Sequence, residues 1–211
     1  MSMTEMLRWI TWIEYVGSIA FAASGALIGI KKHMDLFGVM VLGLTTATAG
    51  GVLRDLILGV SPPMMFKNPI YAIIAMITAL IVFLKPVRNL LHTDSKAYDR
   101  VMFFADTLGL AIFVVVGVRN ARAAMPTAGV FLQVFTGVVS AVGGGVLRDV
   151  MAQEMPYIFT KHIYAVACVI GALVCVLLWP LGNVVAMAVG FAVVFAIRCL
   201  SSHFKWNLPK A

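Results

Sequence analysis

The sequence predicts an all-α membrane protein with seven transmembrane helices, arranged as two inverted three-helix repeats plus a seventh helix. Three observations carry this prediction: the composition, the lengths of the apolar segments and a motif that occurs twice. Of the 211 residues, 62% are hydrophobic and 12% are charged, and the mean hydropathy is +0.99. Soluble domains contain about 25% charged residues. The surplus apolar surface must therefore face lipid, which excludes a soluble enzyme, a disordered tail and a disulfide scaffold.

The net charge and the cysteines fit a membrane protein better than a nucleic-acid-binding or metal-binding one. Sixteen Lys and Arg oppose nine Asp and Glu, a net charge of +7. In membrane proteins, basic loop residues record insertion topology and contacts with anionic lipid. Cys168, Cys175 and Cys199 lie in apolar segments without paired spacing, which indicates packing residues. We expect membrane lipid and no nucleic acid as partners, and no cofactor or structural metal.

The predicted membrane spans come from apolar segments cut at charges, prolines and glycine clusters. A helix that crosses about 30 Å of hydrocarbon needs about 20 apolar residues. The first segment, from Trp9, is too long for a signal peptide and is interpreted as a retained helix. The seven spans lie near residues 9–30, 36–59, 69–85, 101–118, 127–151, 162–179 and 183–200. No soluble domain separates them, so residues 1–211 form a single membrane domain.

The distribution of basic residues predicts the orientation of the chain. Seven spans place the two termini on opposite sides of the membrane. Eleven Lys and Arg fall on the side of the C-terminus and five on the side of the N-terminus. By the positive-inside rule, the C-terminus is cytoplasmic and the N-terminus lies outside.

A duplicated motif divides the chain into two similar parts. The hexapeptide Gly-Gly-Val-Leu-Arg-Asp occurs at residues 50–55 and again at residues 144–149. The similarity extends upstream and downstream of the hexapeptide. The matching positions include Glu14 with Asp106 and Tyr71 with Tyr164.

Each part contains three spans. The first three-helix repeat covers residues 9–85, the second covers residues 101–179, and the seventh helix, residues 183–200, lies outside both. Because three is odd, the second copy enters the membrane from the opposite face. The repeats are therefore predicted to be inverted, an architecture of transporters and channels.

The glycine pairs of the two motifs predict interruptions in the second and fifth spans. Gly50, Gly51, Gly144 and Gly145 lie inside apolar segments, and adjacent glycines weaken a helix and allow kinks. Carbonyls freed at a break are tolerated where they line a cavity, and they bind cations there. We expect a transient K+ or Na+ site at these kinks; the alternative is that the glycines only allow close helix packing. The hydroxyl side chains upstream of the glycines that offer further oxygen ligands are those of Thr45, Thr46, Thr48, Thr136 and Ser140, of which Thr48 and Ser140 are assigned to the predicted ion site.

Charged residues follow each glycine pair below the membrane surface. An isolated charge there costs ~2.5–3.5 kcal/mol, and adjacent residues project about 100° apart on a helix. The Arg and Asp of one motif are therefore poor mutual partners, so a further acid is expected near each arginine. We predict contacts of Glu14 with Arg54 and of Asp106 with Arg148; the alternative for each acid is helix capping or dipole pairing. The predicted membrane-embedded charge network comprises Glu14, Arg54, Asp55, Asp106, Arg148 and Asp149.

The remaining motifs do not indicate catalysis. The sequence contains no Ser-His-Asp or His-Glu-x-x-His constellation. The segment Gly-Gly-Gly-Val-Leu-Arg-Asp at residues 143–149 lacks the Gly-Lys-Ser/Thr that completes a phosphate-binding loop. We therefore expect no enzymatic activity.

The doubled signature resembles the bacterial relatives of the trimeric intracellular cation (TRIC) channels, whose repeat is also labelled a glycine-transporter domain. It comprises residues 46–55 and 140–149, with Gly59 and Pro62 after the first copy, and the resemblance covers nearly the whole chain. The resemblance implies a homotrimer in the bacterial inner membrane, with one pore per protomer between kinked second and fifth helices. That pore would conduct K+ and, less well, Na+. The motif glycines would be the kink positions.

The two copies of the motif region differ at two positions. Ala49 stands where the second copy has Gly143, and Gln153 stands where the first has Gly59, so the two kinks are expected to differ in sharpness. Arg119 and Arg122, at the outer end of the fourth span, are interpreted as anchors rather than voltage sensors.

Three functions stay open from the sequence. The leading hypothesis is a K+-permeable channel, because backbone and hydroxyl oxygens at the kinks suit a desolvated monovalent cation. The second is a secondary transporter for a small zwitterion such as glycine, which would use the same repeat in alternating access. The third is a non-conducting trimeric scaffold.

Overall fold

The computed structural model describes residues 3–90, 96–160 and 163–206, and within these ranges every regular element is helical. Lys161 and His162, at the start of the predicted sixth span, lie outside the described residues. A 3-10 turn, Trp179–Leu181, precedes the last helix. The α-helices are α1 Met3–Lys31, α2 Leu36–Ile57, α3 Met64–Lys67, α4 Ile70–Phe83, α5 Lys85–Leu90, α6 Lys96–Ala124, α7 Val130–Met151, α8 Tyr157–Thr160, α9 Ala165–Leu177 and α10 Asn183–His203.

Five helices in the described part of the chain are long and apolar enough to cross a membrane. They are α1, α2, α6, α7 and α10. Helices α4 and α9, which correspond to the predicted third and sixth spans, are apolar but only 14 and 13 residues long. Large aliphatic and aromatic side chains are exposed along these helices, as expected for surfaces that face lipid.

Helix α6 is longer at both ends than the predicted fourth span, residues 101–118. It begins at Lys96, inside the predicted loop between Lys85 and Arg100, and ends at Ala124. Asp99 lies in its first turn and Arg122 in its last, the positions at which each charge stabilises the helix dipole. The prediction from hydropathy includes only the apolar part of the helix. The polar first and last turns extend the helix beyond that part.

The helices pack in two groups of three. Helices α1, α2 and α4 contact one another, as do α6, α7 and α9, and the groups meet where α2 packs on α7 and α1 on α6. Helix α10 packs against α6 and α9 of the second group. At the centre, the buried rings of Phe21 and Phe113 stack with centroids 5.4 Å apart. This packing holds α2 and α7 in fixed mutual orientation.

The turns that follow the two hexapeptides have the same backbone conformation despite different residues. Gly59 and Gln153 both have positive φ, +69° and +55°. In each turn the next amide donates to the motif Asp carbonyl, Val60 to Asp55 and Glu154 to Asp149, at 2.8 Å. Gln153 therefore adopts a left-handed conformation that favours glycine, and the difference in sequence does not change this turn.

Candidate functional site

Helices α2 and α7 are uninterrupted α-helices through both glycine pairs, so the predicted breaks in these spans are wrong. The reason is the contact between the two helices. A Cβ at Gly50 would lie 2.2 Å from the Ser140 carbonyl oxygen, and a Cβ at Gly144 would lie 2.1 Å from the Thr46 carbonyl oxygen. Only residues without a side chain allow backbones to approach so closely. Gly50 and Gly144 are therefore packing residues at a reciprocal helix crossing.

The second glycine of each pair faces away from this crossing. A Cβ at Gly51 would meet nothing nearer than Arg54 Nη2, at 3.7 Å, and Gly51 lines a cavity. A Cβ at Gly145 would lie 3.0 Å from the Tyr164 hydroxyl and 3.6 Å from Arg148 Nη2. The α2 pair thus borders open space, whereas the α7 pair borders a filled polar cluster.

A cavity of about 540 Å³ lies among α1, α2, the segment after α2, and the end of α6. Its lining includes Asn68, before α4, and Ala47, which follows the crossing residue Thr46 in α2. The predicted site residue Thr48 lies on its wall, and its hydroxyl donates to the Leu44 carbonyl at 2.8 Å. The polar and charged side chains of the wall include Glu14, Arg54, Asp55, Tyr71 and Arg119.

The first charge cluster lies on this cavity wall. Arg54 Nε and Nη2 donate to Asp55 Oδ1 at 2.9 and 2.7 Å, and Asp55 Oδ2 accepts from the Met64 amide at 2.8 Å. The expectation that the Arg and Asp of one motif are poor partners is therefore wrong. The arginine side chain is long enough to fold back across the angle between adjacent residues.

Glu14 bonds to a tyrosine rather than to an arginine. Its carboxylate accepts from the Tyr71 hydroxyl at 2.5 Å. Among the ion pairs of the described residues, none joins Glu14 to Arg54 within 4.0 Å, so the predicted contact is wrong. Arg54 is paired with Asp55, and the half-buried Glu14 forms no ion pair within 4.0 Å among the described residues.

The second hexapeptide repeats the local geometry of the first in a dry environment. Arg148 Nε donates to Asp149 Oδ1 at 2.8 Å, and Asp149 Oδ2 accepts from the Tyr157 amide at 2.9 Å. Arg148 and Asp149 are 0% and 1% exposed. This end of the α2–α7 crossing is therefore closed to water.

Asp106 completes the second cluster. Arg148 Nη1 donates to Asp106 Oδ1 at 2.8 Å, which confirms the predicted contact, and it also donates to the Ser24 hydroxyl. The Tyr164 hydroxyl donates to the same Asp106 oxygen at 3.2 Å. Arg198 Nη2, from α10, lies 3.8 Å from Asp106 Oδ2.

Ser140 is not equivalent to Thr48. Its side chain is 1% exposed, it lies against Gly117 of α6, and its hydroxyl has no hydrogen-bond partner among the described residues. The side chain packs between α6 and α7 instead of reaching the cavity.

Sequence reasoning did not assign site roles to Tyr71, Tyr164, Arg119 and Arg198. The two tyrosines occupy matched positions of the repeat, and Arg198 lies inside the apolar span 183–200, where a charge indicates a function. Arg119 was expected to be an anchor but lines the cavity. Arg122 is held on the ring of Trp179 at 5.0 Å and on Gln133 at 2.5 Å.

Within the described ranges, no group of three or more His, Cys, Asp or Glu side chains is placed to hold a metal ion. The site consists of a cavity with several charged and polar side chains on its wall, and of two ionic clusters inside apolar helices. This arrangement defines a multi-pass membrane protein with a polar interior, of the class that moves ions or small polar solutes.

Comparison with known proteins gives the family. The family model described as glycine transporter matches residues 11–86 and again residues 103–180. The UPF0126 inner membrane protein YadS of Escherichia coli (strain K12) is 36% identical over 201 residues, which cover 94% of each chain.

Solved structures show the same relationship. A solved structure described as the structural basis for conductance through TRIC cation channels matches this chain with a TM-score of 0.83 and 36% identity, over 95% of this chain and 96% of that one. The TRIC trimeric intracellular cation channel orthologue from Rhodobacter sphaeroides has a TM-score of 0.84 and 30% identity, over 93% of this chain and 98% of that one. The chain belongs to the TRIC family, as a bacterial member related to cation channels.

Proposed function

We propose that this protein is a K+-permeable monovalent-cation channel with a pore in each protomer. The pore runs from the cavity beside Glu14, past the crossing of α2 and α7, to the cluster around Asp106. The observation that carries the proposal is the cavity of about 540 Å³, whose lining includes Ala47 beside this crossing and the charged side chains of Glu14 and Asp55. The solved structures that resemble the chain are described as cation channels.

The cavity wall favours a cation. Its Arg54 is paired with Asp55 through two hydrogen bonds, whereas in the part of the chain that the structure describes the Glu14 carboxylate accepts from the Tyr71 hydroxyl and forms no ion pair. Carboxylate and hydroxyl oxygens of Glu14, Tyr71 and Thr48 suit K+ or Na+, which lose part of their hydration shell to protein oxygens. Gly51 keeps the wall free of a side chain at this depth.

The proposed architecture has seven spans, with α4 and α9 as short crossings. The first repeat (9–85) contains α1, α2 and α4, the second (101–179) contains α6, α7 and α9, and α10 (183–200) lies outside both. Reciprocal contacts support the inversion: the Gly50–Ser140 approach has its counterpart in Gly144–Thr46. The repeated match of one family model, at residues 11–86 and 103–180, supports the duplication.

The far end of this path is closed in the structure. Asp106, Arg148, Tyr164 and Arg198 are at most 3% exposed, and the side chains of Tyr164 and Arg148 lie against Gly145. Conduction therefore requires these side chains to separate. This expectation does not need a break in either helix at the glycines.

For assembly and orientation we propose a homotrimer in the bacterial inner membrane, with K+, Na+ and membrane lipid as its partners. The Rhodobacter sphaeroides orthologue is named trimeric, and the Escherichia coli relative is named an inner membrane protein. The N-terminus lies outside and the C-terminus is cytoplasmic, on the basic-residue count. Reporter fusions at Ala211 that are active only outside the cytoplasm would contradict this orientation.

Planar-bilayer recording of the purified protein in KCl tests the channel proposal. Discrete current steps are expected, and Glu14→Gln is expected to lower the single-channel conductance about twofold, because it removes negative potential from the cavity. The control is Glu154→Gln, which removes the same charge from a surface ion pair with Lys32. If the protein shows no current steps but takes up glycine into vesicles, the channel hypothesis is wrong and the secondary-transporter hypothesis is favoured.

A further inference from the structure

Helix α10 places a charged side chain inside the second polar cluster. Arg198 is 3% exposed although its helix is apolar. Its guanidinium lies over the rings of Phe103 at 5.2 Å and Tyr164 at 4.7 Å, and Nη2 is 3.8 Å from Asp106 Oδ2. A buried intramembrane arginine is costly unless its charge is compensated. We therefore expect the Arg198 charge to be compensated by Asp106.

Arg198 sets the charge balance of the second cluster. Around the first hexapeptide, the carboxylates of Glu14 and Asp55 oppose Arg54, and a second arginine, Arg119, lies on the same cavity wall. Around the second, Asp106 and Asp149 oppose Arg148, and all three residues are at most 1% exposed. Arg198 cancels the surplus there.

The hydrogen bonding shows that Arg198 neutralises Asp106 without ligating it. A separation of 3.8 Å is too long for a hydrogen bond. Among the described residues, Asp106 Oδ2 accepts no hydrogen bond, and Arg198 Nε and Nη1 donate none. Arg198 is held by charge and by the two aromatic rings. Asp106 Oδ2 is thus an unsatisfied, fully buried carboxylate oxygen, which is costly in a low-dielectric interior.

We propose that Asp106 is a latent monovalent-cation site and that Arg198 is a tethered cation which occupies its place. With Arg198 beside it, the second cluster has no net charge and attracts no ion. Without Arg198, one carboxylate charge is uncompensated, and K+ takes the vacated position with Asp106 Oδ2 and the Tyr164 hydroxyl as oxygen ligands. The inference rests on the proposed cation pathway for the route by which K+ reaches Asp106.

The test measures K+ binding through thermal unfolding of the purified full chain, in KCl and in choline chloride at equal ionic strength. The wild type is expected to unfold at the same temperature in both salts, as is the control Arg100→Gln, which removes an exposed charge of α6. Arg198→Gln is expected to unfold about 5 °C higher in KCl than in choline chloride, because K+ stabilises the folded state by mass action.

Two further variants separate the site from a merely structural arginine. Arg198→Lys keeps a cation in place and is expected to show no K+ dependence. Asp106→Asn combined with Arg198→Gln removes the surplus charge and is expected to lose the K+ dependence of Arg198→Gln.

The proposal is overturned if Arg198→Gln has equal midpoints in the two salts, or if it fails to fold in KCl, since K+ has then not replaced the guanidinium. Retained K+ dependence in the double variant would also overturn it, because the ion would bind elsewhere. The readout is binding and not current. Failure of the channel proposal in bilayers is therefore distinguishable from failure of this inference.

Discussion

A single methyl group at the crossing of α2 and α7 tests why glycine is required there. In Gly50→Ala the new Cβ would lie 2.2 Å from the Ser140 carbonyl oxygen and 3.0 Å from its carbon. Both atoms belong to the backbone, so no side-chain rotation relieves the overlap. Gly51→Ala is the matched variant on the same helix, because its Cβ would meet only a flexible arginine nitrogen at 3.7 Å.

The expected magnitude follows from these distances. The two helices must separate by about 1 Å before the contact at Gly50 becomes ordinary, and overpacking of this kind costs about 1–3 kcal/mol. Replacing glycine by alanine in a helix returns ~0.8–1.0 kcal/mol. Since the overlap is with rigid backbone, the cost is at the upper end, and a net loss of about 2 kcal/mol is expected. Gly51→Ala has no overlap and is expected to gain up to about 1 kcal/mol.

Tryptophan fluorescence during thermal unfolding of the purified protein measures the difference. About 3 kcal/mol between the two variants corresponds to a separation of about 6 °C or more in midpoint for a chain of this size. Gly144→Ala supplies a second copy of the test, because its Cβ would lie 2.1 Å from the Thr46 carbonyl oxygen. It is expected to behave like Gly50→Ala.

Equal midpoints for Gly50→Ala and Gly51→Ala would refute this reasoning. The close approach of the helices would then not be what requires glycine. A role of the pair in bending or opening α2 would be the better explanation. The same conclusion would follow if Gly144→Ala were as stable as the wild type.

Three further predictions concern the cavity and the closed cluster. Arg119→Gln removes a positive charge from the cavity wall and is expected to raise K+ conductance about twofold in bilayers. Arg122→Gln is the control. An equal effect of both substitutions would contradict the assignment of Arg119 to the conducting cavity. In a background without native cysteines, Thr48→Cys is expected to react with a small water-soluble thiol reagent and Ser140→Cys to resist it; equal labelling rates would show that the cavity boundary is misplaced. Asp149→Asn leaves the fully buried Arg148 guanidinium without one of its two carboxylate partners and is expected to lower the free energy of unfolding by about 3 kcal/mol. A loss below about 1 kcal/mol would mean that water reaches the cluster around Arg148.

The membrane class, the helical fold and six of the charged residues of the two clusters could be predicted from the sequence, whereas Tyr71, Tyr164 and Arg198 were not assigned to them. Apolar segments of membrane-spanning length determine the first two, because hydrocarbon tolerates only backbone that satisfies its own hydrogen bonds. The duplicated hexapeptide locates the clusters, since a charge inside such a segment requires a partner. Asp106 was correctly matched to Arg148 on that argument alone.

Which partner each charge takes was decided by the tertiary structure. Glu14 bonds to Tyr71 instead of Arg54, and Arg198 reaches Asp106 from a helix outside both repeats. The glycines of the motif serve a helix contact where a break was predicted. The position of a residue in an apolar segment predicts that a charge there needs a partner. For a glycine it predicts either a kink or a close approach of two helices. The choice depends on how two helices cross, which is set by packing of side chains distant in sequence.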